Sequence, residues 1–519
     1  MNLRQIKKIS NGLINTILIP FIVLAILGAL SLILPNFLAM NSSAVKLTFV
    51  VIFIGLLSVT VAPIKRLVRK TIKWCYSISY PHRRIIIGII IFVTVCWQIA
   101  VIYLISGENA HDLGLIMHAA VEGVGPNQIY FSMYPNTILF FFIEHGWWLV
   151  TGKPVFENFV VYFNLINLIL LDGGILMLGN VVRRLFGKKY LPVLFVLGWL
   201  ILLISPWVAE PYSDTWAFFI TALCLDLGVV YHRTNKTKVK YLVAITAGIV
   251  LTWAYLIKPT LVITFIAVGI IYLLRSLGSG QIRIHKIVVV SALLFMVGLG
   301  TSFMIYQSFL HRQNIIQNNT KIAHPMVHFV AMGMTGNGGY NTADTEMDLK
   351  IKSPIKRRQK NIKLIRQRLK GFQGVTNYGK FLIQKQINNT ADGSFSWGSD
   401  IVTKTNQSNS VTRNRTIIRK LYAKEGQTQP NTFEYRFFAQ LVWSASLILI
   451  LFTIKLDSWR IQFFKYGIVG FMLFLLIFEG GRSRYVIQFL PLVLVLATVG
   501  SVRLHTIMES YRLSMKHEN

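Results

Sequence analysis

A chain of 519 residues that is 54% hydrophobic and 14% charged is far from the balance of a soluble domain. Its 53 Lys and Arg against 20 Asp and Glu give a net charge of +33, but the excess lies largely in short loops between apolar runs. No nucleic-acid motif interrupts those runs, so nucleic acid is excluded as a partner class. The three cysteines, Cys75, Cys96 and Cys224, fall in a basic loop and in two apolar spans, so no pair is placed to form an external disulfide.

The first apolar run, 13–34, follows Arg4, Lys7 and Lys8. It is longer than the 7–15 residues of a signal-peptide core and has no small-residue cleavage site, which predicts a retained first helix. Further runs of the length that spans a bilayer predict helices over 14–35, 44–63, 85–105, 158–182, 190–208, 214–232, 240–256, 260–275, 286–306, 437–454, 461–478 and 485–503. The fold class is therefore all-α and polytopic, with about twelve transmembrane helices. Short loops rich in Lys and Arg stay in the cytoplasm. Here they are the N-terminus, 65–84, 183–189, 233–240, 275–286, 455–465 and the tail after 503. All fall on one side only if 134–150, which holds Pro135, Asn136, Glu144 and His145, is interfacial or re-entrant. Both termini are then cytoplasmic.

The outer face carries a first loop over 107–156 with two amphipathic stretches, short turns at 210–214, 258–260 and 479–484, and a polar segment over 307–436. Loops longer than about 60 residues escape the positive-inside rule, so the charge of that segment is compatible with this side. Four regions follow: 1–84, two helices and a basic cytoplasmic loop; 85–306, the membrane core; 307–436, an extracytoplasmic domain; and 437–519, three helices and a tail. Within the third, SPIKRRQKNIKLIRQRLKGF predicts a helix capped by Ser353, with Pro354 at its first position and Gly371 at its end. Its apolar stripe is Ile355, Ile362, Ile365, Leu369 and Phe372, and such a basic amphipathic helix is expected to lie on anionic membrane lipids. Trp397 either offers a stacking platform to a sugar ring or anchors the loop.

Polar groups converge on the outer face. Asp112 sits near the start of an amphipathic helix, where a carboxylate serves either as general base toward a hydroxyl or as an N-terminal acid favoured by the helix dipole. Glu108 is its rival. Glu210 and Asp214 in EPYSDTW either cap the next span or line a site. Lys258, in IKPT, stands where Pro259 must break the helix; an ammonium there suits a lipid phosphate or snorkels to the interface. Arg482, Arg484 and Tyr485 in EGGRSRYVIQFLP form a second cationic group suited to gripping phosphate, unless Glu479 pairs with one arginine.

Taken in order, the loop aspartate, YPNT, YSDT, KPT, the large late loop and RSRY leading to a proline helix resemble the GT-C membrane glycosyltransferases. The likeness covers about 85–502. It is nearest to members akin to the protein O-mannosyltransferase and lipid A aminoarabinose transferase families, and to wall-glycan glycosyltransferases of Gram-positive bacteria. The resemblance implies a GT-C fold and an inverting transfer of a sugar from a polyprenyl-phosphate donor to a cell-envelope glycan or protein acceptor, as in teichoic acid glycosylation. It implies Asp112 as base, Lys258, Arg482 and Arg484 on the donor phosphate, and Glu108, Tyr134, Asn136, Glu210, Asp214 and Tyr485 around the substrate. The site would be extracytoplasmic. His111–Asp112 is not the paired acidic motif of metal-using members, so no cofactor is implied and a divalent metal there is in doubt.

Two other readings use different residues. An O-antigen ligase or polysaccharide polymerase would place its essential cations in the large loop, such as His324, His328 or Arg413. A flippase or transporter would use intramembrane acids, for which Asp172 and Asp226 are available.

Overall fold

The computed structural model describes residues 3–40, 42–61, scattered positions within 63–77, and 81–109, 111–279, 286–397, 403–404, 417–422 and 434–517. Cys75 and Arg413 lie outside them. The chain is a polytopic helical membrane protein. Nine of the described helices are long and apolar enough to cross a bilayer: Leu3–Leu38, Arg83–Ile105, Phe156–Leu185, Ser213–Arg233, Thr237–Ile257, Pro259–Gly278, Lys286–Arg312, Trp459–Ile477 and Ser483–Met515. The other three expected spans fall on shorter apolar helices, Ser42–Phe53, Leu191–Gly198 and Tyr435–Leu451. In 190–208 the α-helix is interrupted by a π turn over Trp199–Leu203, then a 3-10 turn starts at Pro206, which has no amide to continue the ladder.

Burial separates centre from periphery. In the last helix 83% of the apolar window is buried, whereas in Lys286–Arg312 it is 11%, so the former fills the bundle and the latter faces lipid. The first helix, Leu3–Ser31, buries Ile14, Leu18, Ile22, Ala25 and Ala29 along one face. Its polar residues reach the far end of the sequence: Ser10 Oγ donates to Gln462 Oε1 (2.6 Å) and Asn15 Nδ2 to the Ile454 carbonyl (2.9 Å). It belongs to the same core as the helices after residue 435.

The segment expected to re-enter forms a 3-10 turn, Pro135–Thr137, and a 13-residue helix, Ile138–Val150. At 1.5 Å per residue that helix is about 20 Å long, short of a hydrocarbon core of about 30 Å. Segment 307–397 holds the helices Met326–Met332, Thr342–Lys350, Pro354–Gly371 and Val375–Thr390. The third starts as expected, with the Ser353 side chain accepting from the Lys356 amide. Ile355 is 72% and Leu369 45% exposed, while Arg357 and Asn361 are buried. The burial of Arg357 has a local reason: its guanidinium donates to the carbonyls of Lys321, Ala323, Asp348 and Ile351. Apart from the helices, Glu108–Asn109 pairs antiparallel with Thr403–Lys404.

Candidate functional site

Three chain breaks meet at one end of the bundle. Tyr212 is extended, and the helix Ser213–Arg233 starts immediately after it with Asp214 in its first turn, where unsatisfied amides favour a carboxylate. Lys258 is extended too, because the residue before a proline is pushed out of the helical region. Arg484 lies in the 3-10 run Ser483–Phe489 that leads into the last helix.

These breaks bring two cations onto one carboxylate. Lys258 Nζ is 2.8 Å from Asp214 Oδ1, and Arg484 Nε is 3.2 Å from Asp214 Oδ2. Lys258 also donates to Ser213 Oγ (3.0 Å), and Gln488 Nε2 donates to Asp214 Oδ1 (3.0 Å). The Asp214 side chain is wholly buried. Burial pushes the Lys258 ammonium below its usual value, and Asp214 opposes that shift. The rings of Tyr212 and Tyr485 flank both cations at 5.3–5.5 Å, within cation–π range.

Asp112 enters through the same tyrosine, since Tyr212 Oη donates to Asp112 Oδ2 at 3.4 Å. Glu479 is nearby, accepting from Tyr485 Oη at 3.2 Å. Burial pushes the Glu479 carboxyl up, while Arg482 and Arg484 pull it down. Tyr134 is half-buried and within electrostatic reach of both Asp112 and Glu479. An apolar groove of about 640 Å³ runs between the helices Thr237–Ile257 and Lys286–Arg312. Its lining includes Leu139, Trp253, Leu256, Tyr306 and Phe309, and Leu256 is two residues before Lys258.

Of the residues singled out by sequence, the structure gathers Asp112, Asp214, Lys258, Arg484 and Tyr485, with Tyr134 at the edge. Arg482 is partly exposed beside the turn at Gly339. Glu210 is buried at the head of its turn, its carbonyl accepting the Tyr212 amide (2.9 Å), whereas Asn136 is exposed. For Glu108 the structure gives its backbone pairing with Lys404. Trp397 is a buried anchor: it is 2% exposed and donates to the Tyr422 carbonyl at 2.7 Å. Asp172 accepts from Gln98 and Asp226 from Asn180, so each intramembrane acid has an amide partner. Tyr212 and Gln488 were not anticipated. Tyr212 was legible as the aromatic next to the YSDT acid, while Gln488 carries no sequence signal of its own.

A family model described as conserved hypothetical integral membrane protein matches residues 6–503. No curated protein and no solved structure matches the chain.

Proposed function

For a chain that belongs to this family of conserved hypothetical integral membrane proteins, we propose transfer of a sugar from a polyprenyl-phosphate donor to a cell-envelope acceptor at the outer face of the membrane. One observation carries the reading: partly buried Lys258 and buried Arg484 share a single carboxylate, with Asp112 reached through Tyr212 and an apolar groove lined by Leu256, two residues before Lys258. Two cations crowd one carboxylate, with Glu479 and Asp112 in electrostatic reach of them, an arrangement that suits a lipid phosphate, and the groove suits its hydrocarbon tail.

The chemistry needs little more. The acceptor hydroxyl attacks the anomeric carbon and gives its proton to Asp112. The bond from that carbon to the phosphate oxygen breaks with inversion, and the electron pair leaves with the polyprenyl phosphate. Lys258 and Arg484 offset the charge growing on that phosphate. Arg482 and the tyrosines Tyr134, Tyr212 and Tyr485 would border donor and sugar. The finer attributes of this reading are a GT-C fold with twelve spans, cytoplasmic termini and a Gram-positive envelope glycan as acceptor.

The test is transfer of labelled sugar from a polyprenyl phosphate in proteoliposomes. Asp112→Asn should still bind the donor yet lower turnover at least about a hundredfold. Near-normal turnover in that variant would sink Asp112 as base and move the role to Glu479 or Glu108.

A further inference from the structure

A second polar cluster lies in segment 307–397, independent of the sugar-transfer reading. His324 and His328 stack with ring centroids 4.1 Å apart and planes at 13°. Each presents Nδ1 to the same oxygen, Asp348 Oδ2, at 3.0 Å, and all three side chains are wholly buried. Only His324 has hydrogen-bond geometry to that oxygen. Both Nε2 atoms and His328 Nδ1 are buried without a hydrogen-bond partner. Two imidazoles that turn orphaned nitrogens into a sealed space carry an uncompensated cost.

We propose that His324, His328 and Asp348 bind a divalent first-row transition ion, with Zn2+ the ion that best suits the donor set. Two imidazole nitrogens and one carboxylate oxygen are zinc-type donors, whereas Ca2+ and Mg2+ demand oxygens. Ligand atoms on a tetrahedral zinc lie roughly 3.3 Å apart, as follows from bonds of about 2.0–2.1 Å. The three donors here converge within 4.8 Å of one another, so small side-chain movements suffice. The surroundings hold them in place. Asn361 Nδ2 donates to Asp348 Oδ1 at 2.7 Å and leaves Oδ2 for the ion. Arg357 fastens the backbones on both sides of the cluster through four carbonyls.

The site also touches the first cluster's frame. The His324 amide donates to the Met133 carbonyl (3.1 Å), and the Tyr134 ring stands 5.1 Å from the His324 ring. An ion there would fix the segment that carries Tyr134.

The full chain, purified in detergent with a tag free of histidine, is stripped with chelator and titrated with Zn2+ or Co2+. About one ion per chain should be retained, and Co2+ should give visible d–d absorption. His328→Ala and Asp348→Ala should lose both signals. Asn361→Ala should keep the stoichiometry at saturation while weakening affinity about 10–100-fold. Should the ligand variants fail to fold, the wild-type titration decides. Retention below about a tenth of an ion per chain with no Co2+ spectrum, or unchanged retention in folded ligand variants, would overturn the proposal. The cluster would then be two histidines hydrogen-bonded about a carboxylate.

Discussion

Asp214→Asn keeps the volume of the side chain and removes only its charge, so it isolates what the carboxylate does. In the wild type this one group faces Lys258 Nζ at 2.8 Å and Arg484 Nε at 3.2 Å, with no exposure of its own. The substitution strands two cations in a buried space, and breaking a buried pair in this way costs about 3–5 kcal/mol. Lys258→Met should cost less, about 1–3 kcal/mol, because Arg484 and Asp214 remain matched. In the double variant one cation faces a neutral amide, so its cost should fall clearly below the sum of the singles. Denaturant-induced unfolding in micelles of all four proteins measures the cycle. Asp112→Asn, whose carboxylate accepts a long 3.4 Å hydrogen bond from Tyr212, should barely move stability. If Asp214→Asn unfolds within about 0.5 kcal/mol of wild type, Lys258 and Arg484 are neutralised by other groups and the shared-counter-ion reasoning fails.

Gly298→Leu should separate the helices Thr237–Ile257 and Lys286–Arg312, because a Cβ at Gly298 would collide with the Ile245 carbonyl and one at Gly248 with the Phe295 carbonyl. A lowered melting temperature together with lost lipid-phosphate binding is the expected pair of results. Lys385, buried against the carbonyls of Gly333, Leu476 and Phe478, is lowered to about 8 by burial. Between about pH 8 and 10.4 the unfolded lysine holds a proton that the native one has shed. Stability relative to Lys385→Met should therefore rise with pH across that window, as paired thermal melts would show. In a cysteine-free background, Lys153→Cys should react with an impermeant thiol reagent from outside and Lys236→Cys should not; the reverse labelling would invert the proposed topology.

Much of the membrane architecture was readable, since a long apolar run has few physical outcomes besides a span. The Ser353–Pro354 helix start was equally readable because a cap is a local device. Juxtaposition across the chain was not. Ser213 and Lys258 are 45 positions apart, and Asp214 and Gln488 are 274 apart, so neither cap nor periodicity could reveal that Asp214 is a shared counter-ion. In the helix Pro354–Gly371 the apolar spacing was readable, but the burial of Arg357 was not. Ile355 and Leu369 stay exposed, while the carbonyls that hold Arg357 come from positions up to 36 residues away. Trp397 read equally well as a platform or an anchor, and its buried hydrogen bond to Tyr422 made it an anchor.

The first helix has a consequence for the order of synthesis. Its partners Ile454, Gln462 and Lys465 lie 439 to 454 residues downstream of Asn15, Ser10 and Asn11. At translation rates of about 5–20 residues per second, the nascent chain waits roughly 20–90 s before those contacts can form. During that interval Ser10, Asn11 and Asn15 have none of their native partners. A segment delivered to the bilayer that early is thus among the last to be locked in place, and a chain that stops before residue 454 leaves the helix Leu3–Ser31 without its final contacts.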